Sequence, residues 1–112
     1  MNKTASLKPD RAFKKLYKTG GCVAADCLVI YYKRNNLSIN RLGLTASKKI
    51  GNAVTRNRVR RLIKENFRLK CDRLRQGFDI VFVARTKTAH STFGELSLAM
   101  DYLLRKSDLI IK

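Results

Sequence analysis

The sequence predicts a small α+β fold, and two observations carry that reading. Apolar residues recur at helical spacing in three segments, and extended runs rich in Val, Ile, Leu and Tyr lie between them. The resulting order is helix, two or three strands, helix, strand, helix. Joining the strand before the middle helix to the one after it makes a parallel pair across a helical crossover. With 112 residues and 45% hydrophobic content, the chain reads as a single domain over 1–112. A chain of this size buries roughly two-thirds of its unfolded surface and needs no staples.

Each element has a local signal. Pro9 opens the first helix with Asp10 in its first turn, and Gly20-Gly21 ends it; Ala12, Phe13, Leu16 and Tyr17 share its spacing. Val23 to Lys33 is extended, with a break near Ala25-Asp26. Asn35-Asn36 marks a turn. Arg41 to Ser47 alternates, with Leu42, Leu44 and Ala46 on one side, so a two-strand antiparallel ribbon with the preceding run is expected. Gly51-Asn52 precedes a helix from about Val54 to about Leu69. Ile80 to Ala84 is a continuous apolar run, as expected for a strand covered on both faces. Thr92 and Glu95 fit a capping box, and Leu96, Ala99, Met100, Leu103 and Leu104 give the last helix one apolar face. The first few residues resemble linker.

The formal net charge is +17, and eleven of the 25 Lys and Arg lie between Lys48 and Arg75, against Glu65 and Asp72 alone. Such an excess repels itself and calls for a polyanion; an acidic small molecule would need only a local pocket. No apolar run approaches the ~20 residues of a spanning helix, and no signal-peptide core follows the N-terminus, so a cytoplasmic protein is expected. Cys22, Cys27 and Cys71 form no C-x-x-C pair and read as free thiols of a reducing compartment.

The middle helix is the richest signal. At 100° per residue, Val59, Leu62, Ile63 and Phe67 form one stripe, while Arg56, Asn57, Arg60, Arg61, Lys64 and Arg68 form an adjoining arc; Arg58 projects near the opposite border. A solvated helix face mixes signs, and this one barely does. Arginine also supplies a planar fork that matches phosphate oxygens in pairs. RNA suits this arc better than DNA, because an alternating ribbon precedes the helix where a helix-turn-helix would need another helix. A-form RNA is met through backbone and shape. Phe13, Tyr17, Tyr31 and Tyr32 are either core residues or a stacking platform for unpaired bases, flanked by Lys14, Lys15, Lys18, Lys33 and Arg34. Tyr31 and Tyr32 must face opposite ways, so at most one joins a groove. No catalytic residue and no metal site can be assigned: carboxylates are scattered singly, and the lone His90 lacks a nucleophile or an orienting partner.

The run Ser47-Lys48-Lys49-Ile50-Gly51-Asn52-Ala53-Val54-Thr55-Arg56-Asn57-Arg58-Val59-Arg60-Arg61-Leu62-Ile63-Lys64 closely resembles the signature of the bacterial ribonuclease P protein subunit family. The Phe13-x-x-x-Tyr17 helix, the Leu42-Gly43-Leu44 strand and the Ile80–Ala84 strand fit in order, so the resemblance covers nearly the whole chain. It implies an α+β sandwich of helix-strand-strand-strand-helix-strand-helix order, with a left-handed crossover around the basic helix. It also implies a subunit of the ribonucleoprotein endonuclease that removes the 5′ leader from precursor tRNA, a hydrolase whose catalyst is an RNA subunit with bound Mg2+. No protein ligand to that metal follows. By the same resemblance, Arg56, Asn57, Arg58, Arg60, Arg61, Lys64 and, on the same arc, Arg68 would contact the catalytic RNA. Phe13, Tyr17 and Tyr31 would line the leader-binding cleft, with Ser47, Lys48 and Lys49 beside it. The implied partners are the catalytic RNA and precursor tRNA, with no membrane and no small-molecule substrate. The rivals are a structural ribosomal RNA-binding protein, a DNA-binding regulator and a nuclease acting without RNA.

Overall fold

The most apolar run of the chain becomes the centre of the sheet. Ile80, Val81 and Phe82 are fully buried in the strand Phe78–Ala84, with a neighbouring strand on each side. The computed structural model describes residues 4–8 and 11–111. Within them the order is β1 (Thr4–Ser6), α1 (Arg11–Thr19), β2 (Gly21–Ala24), β3 (Leu28–Arg34), β4 (Asn40–Thr45), α2 (Ala53–Lys70), β5 (Phe78–Ala84) and α3 (Phe93–Lys106). Short 3-10 turns occupy Lys48–Ile50, Cys71–Arg73 and Thr86–His90. The Pro9-Asp10 start expected for the first helix lies outside the described residues.

The sheet order is β1-β4-β5-β3-β2. β4 and β5 run parallel and are joined through α2, as the element order requires. The expected ribbon between the segments flanking Asn35-Asn36 does not form: β5 inserts between β3 and β4 and pairs with both. Burial explains this. A strand apolar on both faces is most stable at the centre, where neighbours satisfy both of its edges and helices can cover both faces. β3 takes β2 as its other neighbour, across the break at Ala25 to Cys27. The turn itself is as expected: Asn36 adopts φ 61° and the Asn35 side chain accepts from the Leu37 amide at 2.8 Å. β1 was not expected. Thr4-Ala5-Ser6 is short and polar, and it pairs in parallel with the outer edge of β4.

α2 and α3 pack on one face of the sheet and α1 on the other. The larger core joins Val59, Ile63 and Phe67 of α2 and Leu96, Met100, Leu103 and Leu104 of α3 to Ile30, Ile80 and Phe82. The smaller core joins Leu7, Phe13 and Leu16 to Val81, with Tyr31 and Val83 at its margin. Gly43 allows this second contact: a Cβ there would overlap the Phe13 ring. The capping box of α3 is present, with the Thr92 hydroxyl accepting from the Glu95 amide at 3.1 Å and the Glu95 carboxylate from the Thr92 amide at 2.8 Å.

Candidate nucleic-acid interface

α2 starts where Asn52 accepts from the Thr55 amide at 2.9 Å, capping the first turn. Val59, Ile63 and Phe67 then fix its underside, and the Phe67 ring meets Phe82 edge-on with centroids 5.8 Å apart. The backbone beneath the basic arc is therefore ordered by folding, and binding need not order it again.

The arc divides by partner. Arg61 and Lys64 are exposed and make no ion pair or hydrogen bond among the described residues. Arg60 donates to the Asn57 side chain at 3.1 Å and to the Ala46 carbonyl at 3.4 Å, which holds its guanidinium beside the end of β4. Arg56 has a buried Nε without a hydrogen-bond partner among the described residues. No carboxylate among those residues lies within ion-pair distance of Arg56, Arg58, Arg60, Arg61 or Lys64.

Two residues expected to contact RNA, Arg68 of the arc and Arg58 at the opposite border, are held elsewhere. Arg58 donates to the Ala89 carbonyl at 2.5 Å and so ties α2 to the turn Thr86–His90. Arg68 grips Glu65 with both Nε and Nη2, the closest approach being 2.5 Å. The hydrogen bonds they share, and then each partner's opposite charge, raise the Arg68 pKa and lower that of Glu65. The i,i+3 spacing of this pair was visible in the sequence, and it removes Arg68 from the set of unopposed cations.

On the α1 face, strand register aligns Cys22, Tyr31, Val81 and Gly43 in one row across β2, β3, β5 and β4. Phe13 lies over this row and is only 6% exposed, so its ring belongs mainly to the core. Tyr17, one turn later, is 41% exposed and meets Tyr31 edge-on at 4.6 Å. Burial, then the Tyr31 phenol, raises the pKa of Tyr17; burial, then a hydrogen bond to Cys22, raises that of Tyr31. Both rings are thus neutral at physiological pH. Tyr32 packs against the opposite core, as alternation demands.

Ser47, Lys48 and Lys49 are exposed in the link between β4 and α2, anchored by buried Ile50. The link leaves β4 next to the carbonyl that receives Arg60, so it adjoins both surfaces. The turn Thr86–His90 packs against this link and against α2, and places Arg85, Lys87 and His90 on the same end of the sheet. Sequence alone does not single out Arg85 and Lys87; their signal is a short basic run after an apolar strand. Among the described residues, no three of His, Cys, Asp and Glu converge on one point, and no helix is long and apolar enough to cross a membrane. Cys22, Cys27 and Cys71 are free thiols.

Comparison with known proteins adds an independent line. The family model described as Ribonuclease P matches residues 1–108. The ribonuclease P protein component of Clostridioides difficile is 44% identical over 111 residues, covering 98% of this chain and 97% of that one. Its counterpart in Caldanaerobacter subterraneus is 48% identical over 107 residues, covering 96% and 92%. Among solved structures, the RNase P protein of Staphylococcus aureus superposes with a TM-score of 0.87 at 31% identity, covering 96% of this chain and 99% of that one. The Thermotoga maritima protein gives 0.83 at 28% identity, covering 90% and 96%. On sequence, fold and the basic helix together, the chain belongs to the ribonuclease P protein family.

Proposed function

We propose that this chain is the protein subunit of the ribonucleoprotein that removes the 5′ leader from precursor tRNA, and that it works by holding two RNAs at once. The observation that carries the reading is the unopposed part of the α2 ridge. Arg56, Arg60, Arg61 and Lys64 stand on a helix whose underside is packed, with no carboxylate to neutralise them among the described residues. Such a ridge docks on the folded catalytic RNA by neutralising phosphates and releasing counterions. Asn57, beside Arg60, adds a hydrogen-bonding amide to the same surface.

The leader lies on the other face. Tyr17 and Tyr31 offer neutral aromatic surface beside Val83, and Ser47, Lys48 and Lys49 supply polar and cationic contacts where that face meets the ridge. Phe13 supports this platform from below and sets the position of Tyr17. The surface residues in question are mainly cations and aromatics, a donor set poorly suited to a divalent cation, which supports Mg2+ being held mainly by the RNA. The protein favours Mg2+ binding only indirectly, by holding the RNA phosphates in place.

Cleavage of precursor tRNA by the catalytic RNA, with and without this chain at low Mg2+, tests the proposal. Stimulation by the protein is expected. Unchanged cleavage, or cleavage by the protein freed of RNA, contradicts it.

A further inference from the structure

A groove of about 910 Å3 opens between the β1–β4 edge of the sheet and the side of α2. It exists because β1 extends the sheet beyond the reach of α2. Leu42, Leu44 and Leu62 form its floor, and Phe93, 39% exposed at the start of α3, stands at one end. Its rim is cationic: Arg61 and Lys64 are unpaired among the described residues, and Arg68 is held by Glu65. The volume lies in the range of ligand clefts, roughly 300–1,000 Å3. An apolar floor with an exposed ring, bordered by cations of the α2 ridge, suits a ligand that is flat and apolar at one end and anionic at the other.

We infer that this groove receives an unstacked nucleotide of the RNA on which α2 docks. The base lies on Leu42 and Leu44 against Phe93, and its phosphate meets Arg61 and Lys64. The inference rests on the docking role proposed above and adds a second kind of contact to it. Phosphate contacts fix position, whereas a base that must leave its stack to enter a shaped groove selects for a particular place in a folded RNA. The charge of the rim favours this occupant over a second copy of the chain, which carries the same net charge of +17.

The test is binding of the full-length chain to the ribonuclease P RNA subunit across a KCl series, for the wild type, Phe93→Ala, Phe93→Tyr and Ser6→Trp. Ser6 is exposed in β1 and lines the groove, so a large ring there obstructs it while every core and ridge residue stays unsubstituted. Phe93→Ala and Ser6→Trp are each expected to weaken binding about tenfold; Phe93→Ala keeps the salt slope, because the phosphate stays on Arg61 and Lys64, whereas Ser6→Trp, which keeps the nucleotide out, lowers it by at most about one. Phe93→Tyr keeps a ring and binds like the wild type. Circular dichroism of each variant establishes that the fold is kept.

Cys71, half-buried in the groove wall, gives a second readout in the unmodified protein. The RNA should slow its alkylation by iodoacetamide severalfold. If Phe93→Ala and Ser6→Trp bind like the wild type and Cys71 reacts equally fast in the complex, the groove is empty and the inference falls, while a steep salt slope leaves ridge docking standing. A flat slope in the wild type overturns both. Protection of Cys71 that grows with protein concentration in the absence of RNA assigns the groove to a second copy and overturns the inference.

Discussion

Helices of 18 and 14 residues cover one face of the sheet, and a helix of nine residues covers the other. The thick layer seals a continuous core and turns its outer surface into a rigid base for arginine. The thin layer leaves part of its face open, so an aromatic pair reaches the surface beside buried Phe13. One sheet thus supports a stiff electrostatic ridge and a shallow stacking surface. The first is suited to a large folded polyanion and the second to a flexible strand.

The largest expected effect separates the two cores. Phe67→Ala should cost about 4–5 kcal/mol of stability, since the ring is sealed between α2 and the sheet. Phe13→Ala should cost less, about 3 kcal/mol, because its small cluster borders solvent and can collapse. Urea denaturation of both variants measures the difference, and equal costs would mean that the thin layer is packed as tightly as the thick one.

Tyr17→Ala comes next. It should weaken binding of leader-bearing precursor by about 1–3 kcal/mol in the holoenzyme and leave mature tRNA unaffected. Equal loss for both substrates would assign Tyr17 a purely structural role. On the ridge, Arg61→Ala or Lys64→Ala should leave stability within about 0.5 kcal/mol and lower the salt slope of RNA binding by about one each. Arg68→Ala should lower it by less, since Glu65 already holds that guanidinium.

The smallest effect is at the start of α3, where Thr92→Ala should cost about 1 kcal/mol at neutral pH. The backbone amide and hydroxyl of Thr92 hold the Glu95 pKa below its ordinary value. A lowered folded-state pKa stabilises above the unfolded value, near ~4.3, and that share is lost as pH falls through the folded value. The Thr92→Ala deficit should therefore shrink in acid, which thermal melts at pH 7 and pH 3 would reveal.

Features set by near neighbours were legible in the sequence. The α2 stripe, the capping box of α3, the Asn35-Asn36 turn and the buried strand all follow from periodicity or a local hydrogen bond. Features set by distant partners were not. Nothing in Thr4-Ala5-Ser6 marks a strand, because its pairing is borrowed from β4. The insertion of β5 between β3 and β4 depends on the competition of all five strands for the central position. The helical wheel sets Arg58 apart from the arc, but only the fold brings the Ala89 carbonyl to it. Phe13 and Tyr17 share one helix face, yet Phe13 is buried over Gly43 while Tyr17 stays 41% exposed beside Tyr31, a difference set by where α1 lies on the sheet.

The salt dependence of wild-type binding to the catalytic RNA tests the central claim most directly. Neutralisation of on the order of five phosphates by the ridge and its adjoining lysines gives a slope of log affinity against log salt of roughly −3.5 to −4.5. A slope near zero would contradict the account.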